Sequence, residues 1–156
     1  MMFSPRRFFK IVALLCLVSA NTFGQDNAGE LQAAVSAWER MWNTFDLQEV
    51  DRLFLQSDEL SYFSSEREGL IQGIQSVREH HESFGFVNGG KHPQTRLWLE
   101  DVKIREFGTT AVVTAIWYFR RTDGRQQRGP VSIFYVNQDG DYKIAHMNFS
   151  NYDEKQ

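Results

Sequence analysis

Residues 109–121 read TTAVVTAIWYFRR, a run of thirteen with no Gly or Pro and dense in β-branched and aromatic side chains. Such a run is a strand. Side chains alternate across a strand, so Val112, Thr114, Ile116 and Tyr118 share one face, and Val113, Ala115, Trp117 and Phe119 share the other. Neither face reads as solvated. A sheet built around this strand needs helices on one side and a second cover on the other. Another copy of the chain is the simplest second cover, because closed dimers are the commonest oligomers. The alternative is a sheet curled enough to hide part of both faces.

The neighbouring sequence continues the pattern. Thr95–Glu106, Gly129–Gln138 and Tyr142–Tyr152 are three further strand candidates. They are separated from the first and from one another by Phe107-Gly108, Asp123-Gly124 and Asp139-Gly140, the last two being strong turn dipeptides. Upstream the period is helical. In Gly29–Phe45 the residues Leu31, Ala34, Val35, Trp38, Met41, Trp42 and Phe45 form one stripe at i, i+3, i+4, i+7 spacing. Asp46 with Glu49 is a capping signal for a second, short helix that turns Leu47, Val50, Leu53 and Phe54 inward. Leu60–Ser64 reads as a short strand, Gly69–Gly73 as a turn or short extended piece, and Ile74–Phe84 as a third helix. A polar loop, 85–93, precedes the long strands. Helices first and a four-strand meander afterwards is an α+β arrangement.

Composition narrows the function. The chain has 156 residues, a net charge of −3, 14% aromatics and one Cys. The aromatics and low charge exclude a disordered chain. One Cys excludes a disulfide framework and a Cys-rich zinc site. The acidic balance argues against an extended nucleic-acid surface. Arg6, Arg7 and Lys10 precede the apolar run Ile11–Ala20, and small residues follow. That order is expected of a cleaved secretory signal over residues 1–24, with cleavage after Ala20 or Gly24, and of a periplasmic or secreted product. An uncleaved anchoring helix is the other reading, although ten apolar residues are too few to span a bilayer. The domain would then be residues 25–156. It carries no Cys, and losing three cations with the leader moves its charge from −3 to −6.

The order of these elements resembles the nuclear-transport-factor-2-like superfamily, in its ketosteroid-isomerase-like and SnoaL-like branch. The resemblance is carried by Trp38 to Trp42 followed by Asp46, by Asp58-Glu59-Leu60, by Gly69 to Ile74, and by the terminal segment Asp139-Gly140 through His146, Asn148 and Ser150. It spans essentially all of Gln25–Tyr152. It implies a cone in which a curved antiparallel sheet wraps a long helix. A pocket would lie between the sheet's concave face and the helices, and dimers would form through the other face. Superfamily members include isomerases, dehydratases, cyclases and non-catalytic modules, so the fold does not select a function.

On this reading Trp38, Trp42, Tyr62, Thr114, Ile116, Tyr118, Arg120, Ser132, Phe134, Met147 and Phe149 line the pocket. Trp117, Phe119, Tyr135, His146 and Asn148 face a partner subunit. A ketosteroid isomerase needs a carboxylate base beside an oxyanion hole made by a Tyr and a protonated Asp. The corresponding positions fall near Trp38, Tyr62 or Phe63, and Ser132, and no acid lies within Leu60–Ser65, so that chemistry lacks its groups. His81 shares a helical face with Ile74, Val77 and Phe84. It is either a buried, hydrogen-bonded histidine or a general acid/base acting with Tyr62 or Tyr118. Arg120 is a candidate grip for a ligand carboxylate, or one member of a solubilising cluster with Arg121, Arg125 and Arg128. His80, His81, Glu82 and His92 lack metal-ligand spacing, and no metal or cofactor is expected. Three functions remain: an exported domain binding a small, largely apolar molecule; a lyase, isomerase or hydrolase using His81 with a Tyr; and a dimeric assembly module without catalysis.

Overall fold

A computed structural model describes residues 23–152, in the order α1 (Phe23–Thr44), α2 (Leu47–Leu53), β1 (Ser61–Ser64), β2 (Arg67–Gln72), α3 (Ile74–Ser83), β3 (Arg96–Phe107), β4 (Thr110–Arg120), β5 (Gln126–Gln138) and β6 (Asp141–Phe149). All but the last two residues of the expected export segment lie outside the described residues. The architecture is α+β: three helices pack on one face of a six-stranded sheet ordered β2-β1-β6-β5-β4-β3. The four long strands form the antiparallel meander that the turn dipeptides predict. The sheet as a whole is mixed, however, because β1 pairs with β6 in parallel. This parallel pair joins the short β1–β2 hairpin to the meander and extends the sheet past β6. Among the described residues no helix is long and apolar enough to cross a membrane.

The stripe of α1 is the floor of the core: Leu31, Val35, Trp38, Met41 and Trp42 are all buried. Asn43, at the end of the stripe, fastens the helix to the edge strand. Its amide nitrogen donates to the Leu97 carbonyl at 2.8 Å and its oxygen accepts from the Leu97 N–H at 2.9 Å. This clamp satisfies backbone groups that an edge strand would otherwise leave exposed. Asp46 caps α2 by accepting from the Gln48 N–H, and it also accepts from the Gly89 N–H, which ties down the polar loop. The expected reciprocal contact from Glu49 does not form, because that carboxylate pairs with Arg52.

The inner face of the sheet differs from the expected one. On β4 the buried set is Ala111, Val113, Ala115 and Trp117, and on β5 it is Val131, Ile133 and Tyr135. Thr114, Ile116, Tyr118, Arg120, Ser132 and Phe134 therefore occupy the outer face. Strand period groups residues by face but does not say which group meets the helices. On β6 the parity breaks. Tyr135 pairs with Ile144 and Phe134 with His146, so Ala145 is bulged out of the ladder. The bulge places Tyr142 and Ile144 inward, on the same side as Met147 and Phe149, and leaves His146 and Asn148 outward. Gly129, opposite Trp117, allows a close crossing of the chain. A Cβ there would stand 1.9 Å from the Ser150 carbonyl oxygen, the atom that accepts the Trp117 indole N–H at 2.8 Å.

Candidate functional site

The sheet's inner face and the helices leave a cavity of about 300 Å³ at the end of the molecule where the β1–β2 and β4–β5 turns meet. Its wall is aromatic. Trp42 from α1, Tyr62 from β1, Phe84 after α3, Trp117 and Phe119 from β4, and Phe149 from β6 all line it. The Trp117 and Phe149 rings stack at 4.4 Å and 24°, and Trp42 lies against Phe149 at 6.1 Å and 21°. Each of the two tryptophan rings is thus stacked nearly parallel on Phe149. Two lining residues carry buried polar atoms without a partner among the described residues, the Trp42 indole Nε1 and the Thr95 hydroxyl.

The rim is polar and drawn from two distant turns. Arg121, just past β4, donates through Nε to the Gln127 side-chain oxygen at 3.0 Å and through a terminal nitrogen to Glu66 at 3.4 Å. Gln127 also donates to Glu66 at 3.4 Å. Glu66 sits in the β1–β2 turn, so this trio reaches across the opening. Beside it Arg125 pairs with Asp123 at 2.7 Å, and the Arg125 backbone and side-chain bonds hold the Asp123 carboxyl below its usual range.

Of the residues expected to line the pocket, Trp42, Tyr62 and Phe149 do so. Trp38 and Met147 are fully buried in the core and do not line it. The six on the outer face are turned away from it. Tyr118 stacks on Trp98 at 5.1 Å, and Arg120 lies over the same ring at 5.7 Å. Of the residues expected at a subunit interface, Trp117 and Phe119 instead line the cavity and Tyr135 lies in the core. His146 and Asn148 face outward, with His146 Nδ1 2.7 Å from the Ser61 hydroxyl.

His81 is not at the cavity surface. It is completely buried and its ring lies 5.5 Å from Trp42, 5.7 Å from Tyr62 and 5.1 Å from Phe86. Its Nδ1–H donates to the Val77 carbonyl one helical turn back, at 2.8 Å. Burial pushes its pKa down to about 4, against a smaller upward pull from that carbonyl. It is a neutral core histidine behind the wall of the cavity. Tyr118 lies on the other side of the sheet, so it and His81 cannot act on one substrate. Burial likewise pushes the Tyr62 hydroxyl well above the usual phenol range, away from use as a base near neutrality.

Sequence reasoning missed the rim. Arg121 and Arg125 belong to the same cluster as Arg120 but lie in the connection between β4 and β5, where strand parity does not set direction. Glu66 is the first acid beyond the Leu60–Ser65 window, and it stands at the mouth instead of beside the aromatic wall. Among the described residues no cluster of three His, Cys, Asp or Glu side chains could hold a metal ion.

A curved sheet wrapped around a long helix, with an aromatic cavity open at one end, defines a class of small α+β domains. The profile of the SnoaL-like domain matches residues 31–154, and the chain belongs to that family. No curated protein is similar to it in sequence. Among solved structures it is similar to a nuclear-transport-factor-2-like superfamily protein from Salmonella enterica serovar Typhimurium, at TM-score 0.68 and 18% identity over 85% of this chain and 95% of that one. It is also similar to a putative dehydratase of the same family from Streptomyces avermitilis, at TM-score 0.69 and 13% identity over 83% and 99% of the two chains. At those identities the likeness is one of fold.

Proposed function

We propose that this chain is an exported SnoaL-like domain that binds one small, largely apolar molecule in the aromatic cavity without a built-in acid/base pair. The cavity itself carries the reading. Seven aromatic residues line about 300 Å³ of space that the core does not fill, and close-packed interiors leave few voids of that size without a use. Catalysis through His81 and a tyrosine loses its support, since the imidazole is sealed behind Trp42 and Tyr62 and one of the two tyrosines lies across the sheet.

A second copy of the chain is proposed as the partner on the sheet's outer face. That face combines Val112, Ile116, Tyr118 and Phe134 with Phe63, which is 40% exposed. Native mass spectrometry of the protein purified from cells that make it tests both statements. The expected result is a two-chain species that retains about one small molecule per chain. A Thr95→Trp variant, which fills the cavity, should keep its melting temperature and lose the added mass. Retention of the same mass by that variant would place the ligand elsewhere.

A further inference from the structure

We infer that the molecule held in this cavity is an amphipathic carboxylate, with a flat apolar body of bicyclic-aromatic size and its carboxylate at Arg121. The inference rests on the binding function proposed above and names the class of ligand.

Size comes from the cavity. At the ~30 Å³ that a water-sized atom occupies in a liquid, 300 Å³ accommodates about ten non-hydrogen atoms. Shape comes from the near-parallel stack of Trp42, Phe149 and Trp117 in the cavity lining, whose ring orientation a flat body can share.

The charge is read from the hydrogen-bond inventory of the rim. A guanidinium offers five N–H donors in a planar fork. Among the described residues Arg121 uses one on Gln127 at 3.0 Å and one on Glu66 at 3.4 Å. Its remaining donors have no partner among the described residues. Of the acid side chains nearby, Asp123 takes the Arg125 side chain and backbone N–H, one on each oxygen, and Glu66 takes Arg121 and Gln127 on Oε1. Arg121 thus holds spare donors at the mouth of the cavity, which suits a ligand that accepts there.

The two sides of the trio also differ in how firmly they are held. Gln127 lies within β5 and keeps the Arg121 fork in place. Glu66 belongs to a turn, and both of its contacts are at the long end of hydrogen bonding. A ligand carboxylate that took two parallel N–H bonds from Arg121 would replace one long contact with a bidentate pair. Glu66 would swing outward on its turn as the ligand enters.

Two probes of one shape test this, 2-naphthoate and the neutral 2-naphthalenemethanol, titrated by calorimetry and by quenching of the cavity tryptophans. The wild-type chain should bind the carboxylate about tenfold more tightly than the alcohol, a difference worth one charge-assisted contact. In Arg121→Gln the preference should fall to within about twofold. Glu66→Gln, which removes the competing anion, should strengthen carboxylate binding. Equal binding of both probes by the wild-type chain, or a preference that survives in Arg121→Gln, overturns the carboxylate assignment and leaves cavity binding intact. Failure of both probes to bind the folded protein overturns cavity binding for a body of this size and the carboxylate with it.

Discussion

The two faces of β4 carry side chains of similar bulk under different physical constraints. The inner set, Ala111, Val113, Ala115 and Trp117, has no polar atom except the Trp117 indole N–H, and that atom is bonded to Ser150. The outer set, Val112, Thr114, Ile116 and Tyr118, mixes hydroxyls with hydrocarbon and ends in Arg120. Its aromatic member stacks on Trp98 between two arginines, Arg96 and Arg120. On the inner face of β4 the one buried polar atom is paired, and an unpaired one there would lose its hydration without return. An outer face left to solvent, or to a second subunit with a wet rim, tolerates such atoms freely. What separates the two faces of β4 is polar content: one bonded indole N–H inside, against two hydroxyls and a guanidinium outside.

The sharpest way to break this distinction is to truncate neighbours of opposite parity. Trp117→Ala removes a buried ring that holds Phe149 and the cavity wall, and should cost about 3–5 kcal/mol of unfolding free energy. Tyr118→Ala removes a ring that is partly exposed in the single chain, with one stacked pair, and should cost the isolated chain about 1 kcal/mol. Urea denaturation of the two variants measures the difference. Equal losses would mean that the two faces are equally buried in the folded protein, as a tightly bound partner would make them.

Acid supplies the next largest effect, and it acts on the inner side. The His81 pKa is about 4 in the folded chain against an ordinary value of 6.5. The unfolded chain therefore binds the extra proton first as pH falls. Stability is complete above pH 6.5, declines between 6.5 and about 4, and loses nothing further to this group below that. The total is about 3 kcal/mol at ~1.4 kcal/mol per pH unit. His80, whose pKa is lowered by burial and by Arg67, adds in the same direction. The denaturation midpoint should fall across that window, and His81→Phe should flatten the slope. A slope unchanged in His81→Phe would show that the imidazole is not held neutral in the core.

Much of the fold was legible because its signals are local. The stripe from Leu31 to Phe45, the cap at Asp46 and the turns at Asp123-Gly124 and Asp139-Gly140 each act over a few residues. The parallel pairing of β1 with β6 was not legible, since it joins residues about 85 apart and leaves no periodic mark. The side of the sheet that faces inward was legible in principle. Thr114, Arg120 and Ser132 share one face, while Val113, Trp117, Val131 and Ile133 share the other, and the all-apolar face belongs inside. The bulge at Ala145 was not, because one unpaired residue reverses the parity of Tyr142 and Ile144 without any change in composition. The rim trio of Glu66, Arg121 and Gln127 depends on how two turns approach each other, which only the folded chain determines.

The smallest expected effect on stability falls on the outer face, and it is the one that tests what covers that face. Ile116 is partly exposed there, close to the centre of β4 and directly opposite Pro130 of β5. Ile116→Lys places a charge where a single chain can hydrate it, so the unfolding free energy extrapolated for the isolated chain should change by less than about 1 kcal/mol. In a dimer packed through this face the same ammonium would be desolvated against its symmetry mate, and an unpaired buried charge is strongly unfavourable. Light scattering coupled to size-exclusion chromatography should then report a shift from two chains to one, with the cavity still able to bind. Two chains in both proteins would move the subunit contact off the outer face. One chain in both would leave its hydroxyls and arginines, in place of a partner, as what keeps that face soluble.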